Sequence, residues 1–294
     1  MNRLVSWQGA RWRRISVPGM PDEQTGLVTA SSATNVWLVG QNSSGQVTGR
    51  WNGSRWLAEP SPPVLVNDML VLSPTDVWVV GSTRCVHNRK HCTTPMAHWN
   101  GTSWSVSTVH IAVDAISGSA AGNVWVVGVY GGDPSPPLKP GVIAGYRWRH
   151  GWHQVKTMPR LRTLSLTGVA AVSPANVWVA VPLPTASGAH TGRVLHWNGR
   201  HWRTFTAPRA LRKPANSVPL VADGRSGVWL GADTHFTGSR WISTTPGKLR
   251  GEVAVINSIA LIPGTTSLWG AGYLIPKQGG VNVYGMIAIH GKLP

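Results

Sequence analysis

Apolar runs of four to six residues, separated by small polar turns, recur along the whole chain. None of them continues at the 3.6-residue spacing of an amphipathic helix, so strands are expected almost throughout. One set places Trp second in a short apolar run. It reads Asn35-Val36-Trp37-Leu38-Val39-Gly40, Asp76-Val77-Trp78-Val79-Val80-Gly81 and Asn123-Val124-Trp125-Val126-Val127-Gly128. Asn176-Val177-Trp178-Val179-Ala180, Gly227-Val228-Trp229-Leu230-Gly231 and Ser267-Leu268-Trp269-Gly270-Ala271-Gly272 repeat it. A second set alternates with the first: Trp51-Asn52-Gly53 before Trp56, Trp99-Asn100-Gly101 before Trp104, and Trp197-Asn198-Gly199 before Trp202. Weaker copies are Trp7-Gln8-Gly9 with Trp12, Trp148 with Gly151-Trp152, and Phe236-Thr237-Gly238 with Trp241. The two sets together hold all 17 tryptophans, a bias that a repeated structural position explains.

Turn chemistry divides each repeat into four strands. Strand a ends in segments such as Val169-Ala170-Ala171-Val172, the Ser173-Pro174 turn follows, and the Val-Trp run is strand b. Strand c ends at Trp-Asn-Gly, a tight hairpin signal, and strand d begins at the second Trp. The Trp-to-Trp steps of strand b are 41, 47, 53, 51 and 40 residues, the size of a four-stranded propeller blade. The expected fold is therefore all-β, a six-bladed β-propeller of four-stranded antiparallel blades in a single domain, 1–294. The blades are expected near 27–60, 66–108, 112–158, 166–208, 218–246 and 256–290. Residues 256–290 supply only strands a, b and c, while the N-terminal strand 10–17 is an orphan d. Pairing the two would close the ring and leave no open edge. Residues 4–7 and 286–290 both read as strand c, one more than six blades need, so a piece of a larger propeller is the alternative.

These repeats resemble the kelch and galactose-oxidase-like propeller superfamily. The resemblance is carried by the Gly after strand b at Gly40, Gly81 and Gly128, and by the strand d Trp at Trp104, Trp152 and Trp202. Pro159-Arg160 and Pro208-Arg209 after strand d carry it too. The single Gly and the Val-Trp and Trp-Asn-Gly signatures are closer to divergent bacterial, especially actinobacterial, repeats. The copper ligands and crosslinked cofactor of galactose oxidase have no counterparts here, so the resemblance implies the fold and no cofactor.

Charge adds a partner class. The chain carries 27 Lys+Arg against 10 Asp+Glu, a net charge of +17, although only 13% of its residues are charged. In an antiparallel meander the short a–b and c–d turns share one face of the disc, and the variable b–c and d–a loops share the other. Arg84, Arg89, Lys90, Arg160, Arg162, Arg209, Arg212, Lys213, Lys248 and Arg250 fall in those variable loops and are the candidate binding residues. A ring of one sign attracts polyanions, and loops on a rigid scaffold are where binding concentrates. The expected partner is a protein or an anionic polymer, such as a polysaccharide or cell-wall polymer, bound by a monomer. A merely solvated basic face is the competing account. Nucleic acid binding would be non-specific, because the aromatics a single-strand reader needs sit at packing positions.

Other chemistry is sparse. Cys85 and Cys92 flank one loop and suit a disulfide, with free thiols or a zinc site of Cys85, His87, His91 and Cys92 as alternatives. His98 and His196 precede the strand c Trp where Arg50, Arg147 and His235 stand in other repeats, which marks a half-exposed strand position. Asp76 shares its place with Asn35, Asn123 and Asn176, so turn capping is its expected role. Asp68 and Asp114 enter strand a and could form a carboxylate pair in the channel, the basis of an alternative reading as a carbohydrate-active hydrolase or lyase. The sequons at Asn42, Asn52 and Asn100 read as coincidences of turn composition. With no phosphate loop, dinucleotide fingerprint or nucleophile elbow, binding rather than catalysis is expected. No apolar run reaches the ~18 residues of a membrane span. No leader segment is visible at the N-terminus, so a secreted or cell-envelope protein and a cytoplasmic one are both open.

Overall fold

The computed structural model describes residues 4–7, 11–17, 19–20, 25–86, 91–131, 139–184, 190–206, 219–223, 227–231, 234–243, 252–261, 268–276 and 287–291. An N-terminal hairpin of β1 (Val5–Trp7) and β2 (Trp12–Arg14) precedes six antiparallel sheets. The first sheet is β3 (Thr25–Ser32), β4 (Asn35–Asn42), β5 (Gly45–Trp51) and β6 (Trp56–Glu59). The second is β7 (Val66–Ser73), β8 (Asp76–Gly81), β9 (Arg84–Val86), β10 (His91–Trp99) and β11 (Trp104–Val109). The third is β12 (Ala112–Gly118), β13 (Val124–Tyr130), β14 (Gly141–Trp148), β15 (Trp152–Gln154) and β16 (Arg162–Thr163). The fourth is β17 (Gly168–Ser173), β18 (Asn176–Pro184), β19 (His190–Trp197) and β20 (Trp202–Thr206). The fifth is β21 (Leu220–Ala222), β22 (Val228–Leu230), β23 (Thr234–Phe236) and β24 (Trp241–Ser243). The sixth is β25 (Glu252–Leu261), β26 (Leu268–Pro276) and β27 (Ile287–Gly291). None of the described residues is helical.

Each sheet folds by local chemistry. In the c–d turns the Oδ1 atoms of Asn52, Asn100 and Asn198 each accept two backbone N–H groups from two and three residues on, at 2.9–3.0 Å. The next residue is Gly at φ of +98°, +97° and +91°, a left-handed conformation that favours glycine. These turns fix the register, so Trp51 faces Trp56, Trp99 faces Trp104 and Trp197 faces Trp202. In the a–b turns Ser32, Ser73 and Ser173 accept the N–H of Thr34, Thr75 and Ala175.

The strand b runs are buried nearly throughout, as central strands should be. Trp37, Trp78, Trp125 and Trp178 are at most 1% exposed, and each packs on the following sheet. Trp37 meets Trp99 and Trp104, Trp78 meets Trp148 and Trp152, Trp125 meets Trp202, and Trp178 meets Phe236, with ring centroids 4.8–6.5 Å apart. The core is thus a series of aromatic seams between neighbours. The first strands β3, β7, β12, β17, β21 and β25 lie side by side in chain order. Six such sheets, the first four each seamed to the next and all six with their first strands side by side, are the blades of a β-propeller.

Near the N-terminus, and among the described residues, β2 pairs with β1, with Trp7 opposite Trp12, and neither strand is paired with a strand of the sixth blade. This register, Trp opposite Trp, is the one seen between strands c and d of the first, second and fourth blades. Residues beside this hairpin pack on the first blade: Val17 and Met20 join Leu38 in one cluster, flanked by Leu4, Ile15 and Trp56. Among the described residues the sixth blade has three strands, with β27 paired to β26.

Candidate functional site

The strand ends sort the surface into two faces. In the antiparallel sheets the described a–b and c–d turns lie at one end of the strands, and the described b–c and d–a connections at the other. Two clefts open at the second end, where the first and second blades meet. The inner cleft, about 610 Å³, is lined by Gly26, Leu27, Gly40, Gln41, Gln46 and Asn67. The outer cleft, about 450 Å³, is lined by Pro63, Leu65, Arg84, Thr93, Val106 and Thr108, with Ser82 at its edge.

Gln46 builds the wall between them. Its Nε2 donates to the carbonyls of Pro62 (3.2 Å) and Val64 (3.1 Å), and its Oε1 accepts the N–H of Val66 (3.2 Å). One amide therefore holds the whole connection from the first blade to the second. Ser82 Oγ donates to Asn67 Oδ1 (3.3 Å) and links the two cleft linings. Thr94 does similar work at the next junction, donating to Ile111 O at 2.7 Å and accepting from Val113 N at 3.3 Å. The sequence reading missed these seam residues, which carry no motif because their partners are distant in sequence and mostly main-chain groups.

Of the ten candidate binding residues, three lie among the described ones. Arg84 is exposed on β9 and faces the outer cleft. Arg160 and Arg162 are exposed beside the start of β14, where Arg162 stands opposite Val142. Arg162 was expected in a loop and instead belongs to β16. Arg89, Lys90, Arg209, Arg212, Lys213, Lys248 and Arg250 lie outside the described residues, as does His87.

Cys85 and Cys92 form a disulfide across the β9–β10 hairpin, in direct register. Free thiols are thereby ruled out, and the zinc alternative loses two of its four ligands, because a disulfide sulfur is no longer the thiolate that zinc needs. Among the described residues no group of three or more His, Cys, Asp or Glu is arranged for a metal.

The carboxylates have structural partners. Asp68 accepts the N–H of Met69 (2.8 Å) and, from the next blade, of Ile116 (3.2 Å). Burial raises its pKa, and those two backbone bonds oppose the rise. Asp114 accepts Leu166 N–H of the blade beyond at 2.9 Å. Asp68 thus ties β7 to β12, and Asp114 ties β12 to the segment that leads into β17.

The position before the strand c Trp is a stacking site. His98 lies on Trp78 with centroids 4.0 Å apart, His196 on Trp178 at 3.9 Å and His235 on Trp229 at 4.4 Å. Arg50 and Arg147 place a guanidinium over Trp37 and Trp125 in the same way. Register alone puts His290 opposite Trp269 in the sixth blade.

Asp76 does not cap its turn, which Ser73 does. Asp76 Oδ1 accepts Trp78 Nε1 at 2.8 Å and lies 2.9 Å from His98 Nε2. Asn35 and Asn123 accept the indole N–H of Trp37 and Trp125 likewise. In the fourth blade Asn176 Oδ1 is engaged by His196 Nε2 at 3.0 Å, and Trp178 Nε1 is buried with no partner. Burial lowers the pKa of His196, with a smaller push from Arg203. In the fifth blade Gly227 takes the turn position, and buried Asp223 substitutes from the end of β21, 3.0 Å from His235 Nε2. All of this lies at the end of the blades opposite the clefts.

No family model matches the chain, and no curated protein matches it. Solved structures similar to it include a fucose-specific lectin from Aleuria aurantia in a mercury-derivative form. That match has 13% identity and a TM-score of 0.48, covering 88% of this chain and 93% of the lectin. A second structure of Aleuria aurantia lectin, described as a six-bladed β-propeller, matches at 14% identity and a TM-score of 0.47, covering 89% and 93%. A eukaryotic initiation factor matches at 12% identity and a TM-score of 0.40, covering 94% of this chain and 68% of the factor.

Proposed function

We infer that this chain is a non-catalytic propeller scaffold that binds a protein or an anionic polymer through its b–c/d–a face. The observation that carries the reading is that both clefts at the first blade junction open on that face, one of them beside exposed Arg84. The excess of 27 basic over 10 acidic residues supports an anionic partner. The disulfide at Cys85 and Cys92 supports an oxidising setting, outside the cell or at its envelope. No helix among the described residues is long and apolar enough to cross a membrane. Kelch-type kinship rests on the repeat residues Gly40, Gly81 and Gly128 and their companions.

The test is retention on immobilised heparin and on a neutral glycan array across a salt gradient. Steep salt-dependent retention on heparin, reduced when Arg84, Arg160 and Arg162 are replaced together by Ala, is the expected result. Binding that survives those changes and is lost on altering the a–b/c–d turns would overturn it. Catalysis on carbohydrate in the channel is the second reading, and the backbone duties of Asp68 and Asp114 weigh against it.

A further inference from the structure

The outer cleft has a character that a polyanion does not need. Among the described residues five large apolar side chains are strongly exposed; Leu65 at 62% and Val106 at 54% are in this cleft, and Val86 at 56% is beyond it on β9. Leu65 and Val106 line the cleft, and Val86 stands two residues from Arg84 on the same side of β9. Exposed apolar clusters of this kind mark interaction surfaces. Thr93 and Thr108 add hydroxyls, and no acidic side chain is among the lining residues. The backbone at Arg84 stands opposite Thr93, next to the disulfide-bonded pair of the β9–β10 hairpin.

We propose that the cleft between Leu65, Val106 and Arg84 is a docking site for an extended protein segment in which one carboxylate side chain is flanked by aliphatic or aromatic residues. This rests on the reading that the b–c/d–a face binds a partner, and it names the partner's chemistry. A guanidinium pairs with a carboxylate through two parallel hydrogen bonds. Among the described lining residues Arg84 is the cation, set in an apolar rim, which suits a carboxylate with apolar neighbours. A hydrated polymer of repeating charges gains nothing from Leu65, Val86 or Val106. A volume of about 450 Å³ lies within the range of pockets that take a few side chains.

The experiment uses the full chain with its disulfide intact. An array of nine-residue peptides carries a central Asp or Glu flanked by Leu, Ile, Val or Phe, beside a matched set with Asn or Gln at the centre. The best peptide is then titrated by fluorescence polarisation. The acidic set should bind at least ten-fold tighter than the amide set. Arg84→Ala should lose at least ten-fold, Arg84→Lys less, and Leu65→Ser or Val106→Ser several-fold. Retention of the Leu65→Ser and Val106→Ser variants on heparin should not change, since neither alters a basic residue. Equal binding of the acidic and amide sets would overturn the docking site, as would unchanged peptide affinity in Arg84→Ala. An effect of Arg84 with none from Leu65 or Val106 would reduce the site to a surface charge and also overturn it. Either failure with heparin retention intact leaves the broader reading standing. Peptide binding of the stated preference in a protein that heparin does not retain supports the docking site and removes the anionic polymer from that reading.

Discussion

Trp78 and Trp178 occupy the same place in two blades, both at 1% exposure, each stacked on a His at about the same distance. They differ in the fate of the indole N–H. In Trp78 it donates to Asp76 Oδ1 at 2.8 Å, whereas in Trp178 it is buried without an acceptor. Replacing each by Phe removes similar volume, so the cavity terms largely cancel between the two variants. Trp78→Phe also loses a hydrogen bond to a charged group, about 1.5–3 kcal/mol. Trp178→Phe loses no such bond and relieves a buried unpaired donor, a gain of about 1–3 kcal/mol. Trp78→Phe should therefore be the more destabilising by at least about 2 kcal/mol. In guanidinium chloride, with a slope of about 2–6 kcal/mol per molar, that separates the midpoints by about 0.3–1 M. Far-UV circular dichroism, which does not depend on the lost fluorophore, should report the same order as fluorescence. Equal destabilisation of the two variants, or a larger loss in Trp178→Phe, would refute the assignment of Asp76 as the indole's partner.

The lowered pKa of His196 makes the folded state bind its proton more weakly than the unfolded chain does. The unfolded state then holds more protons in the window below the ordinary histidine value of 6.5, so stability should be lost as pH falls through it towards the lowered folded value. His196→Gln should flatten that limb of a thermal-melting series, and Asn176→Asp should shrink it by raising the folded-state pKa of His196 back towards the ordinary value. Gly101→Ala should cost about 1–3 kcal/mol, because the residue sits at φ +97° and a Cβ would lie 2.6 Å from Thr75 Cγ2. Gly122→Ala, with nothing within 4 Å, should be neutral or stabilise by about 0.4–1 kcal/mol, and chemical denaturation checks both. Reducing Cys85–Cys92, which are seven residues apart, should lower stability by about 2–3 kcal/mol, read as a drop in the unfolding midpoint with dithiothreitol.

The blade repeat was legible in the chain itself because its determinants are local. Asn100 and Gly101 close a turn within four residues, and that turn alone puts Trp99 opposite Trp104. The same logic places β1 against β2, with Trp7 opposite Trp12. Cys85 and Cys92 belong to the same class, seven residues apart across one hairpin. What the sequence could not show are contacts made across blades or through backbone atoms. Asp68 reads as a candidate acid until its oxygen is seen on Ile116 N–H, 48 residues away in the next blade. Asp76 resembles a turn cap until Trp78 and His98 are seen to converge on it. Gln46 carries no signal at all, because its three bonds go to main-chain groups between Pro62 and Val66. The outer cleft likewise exists only once Leu65, Arg84 and Val106, from three separate segments, are brought together. Sequence pattern fixes what a few neighbouring residues decide through turn geometry and alternation. Seams and clefts depend on how finished blades pack, and packing pairs residues that no period in the sequence relates.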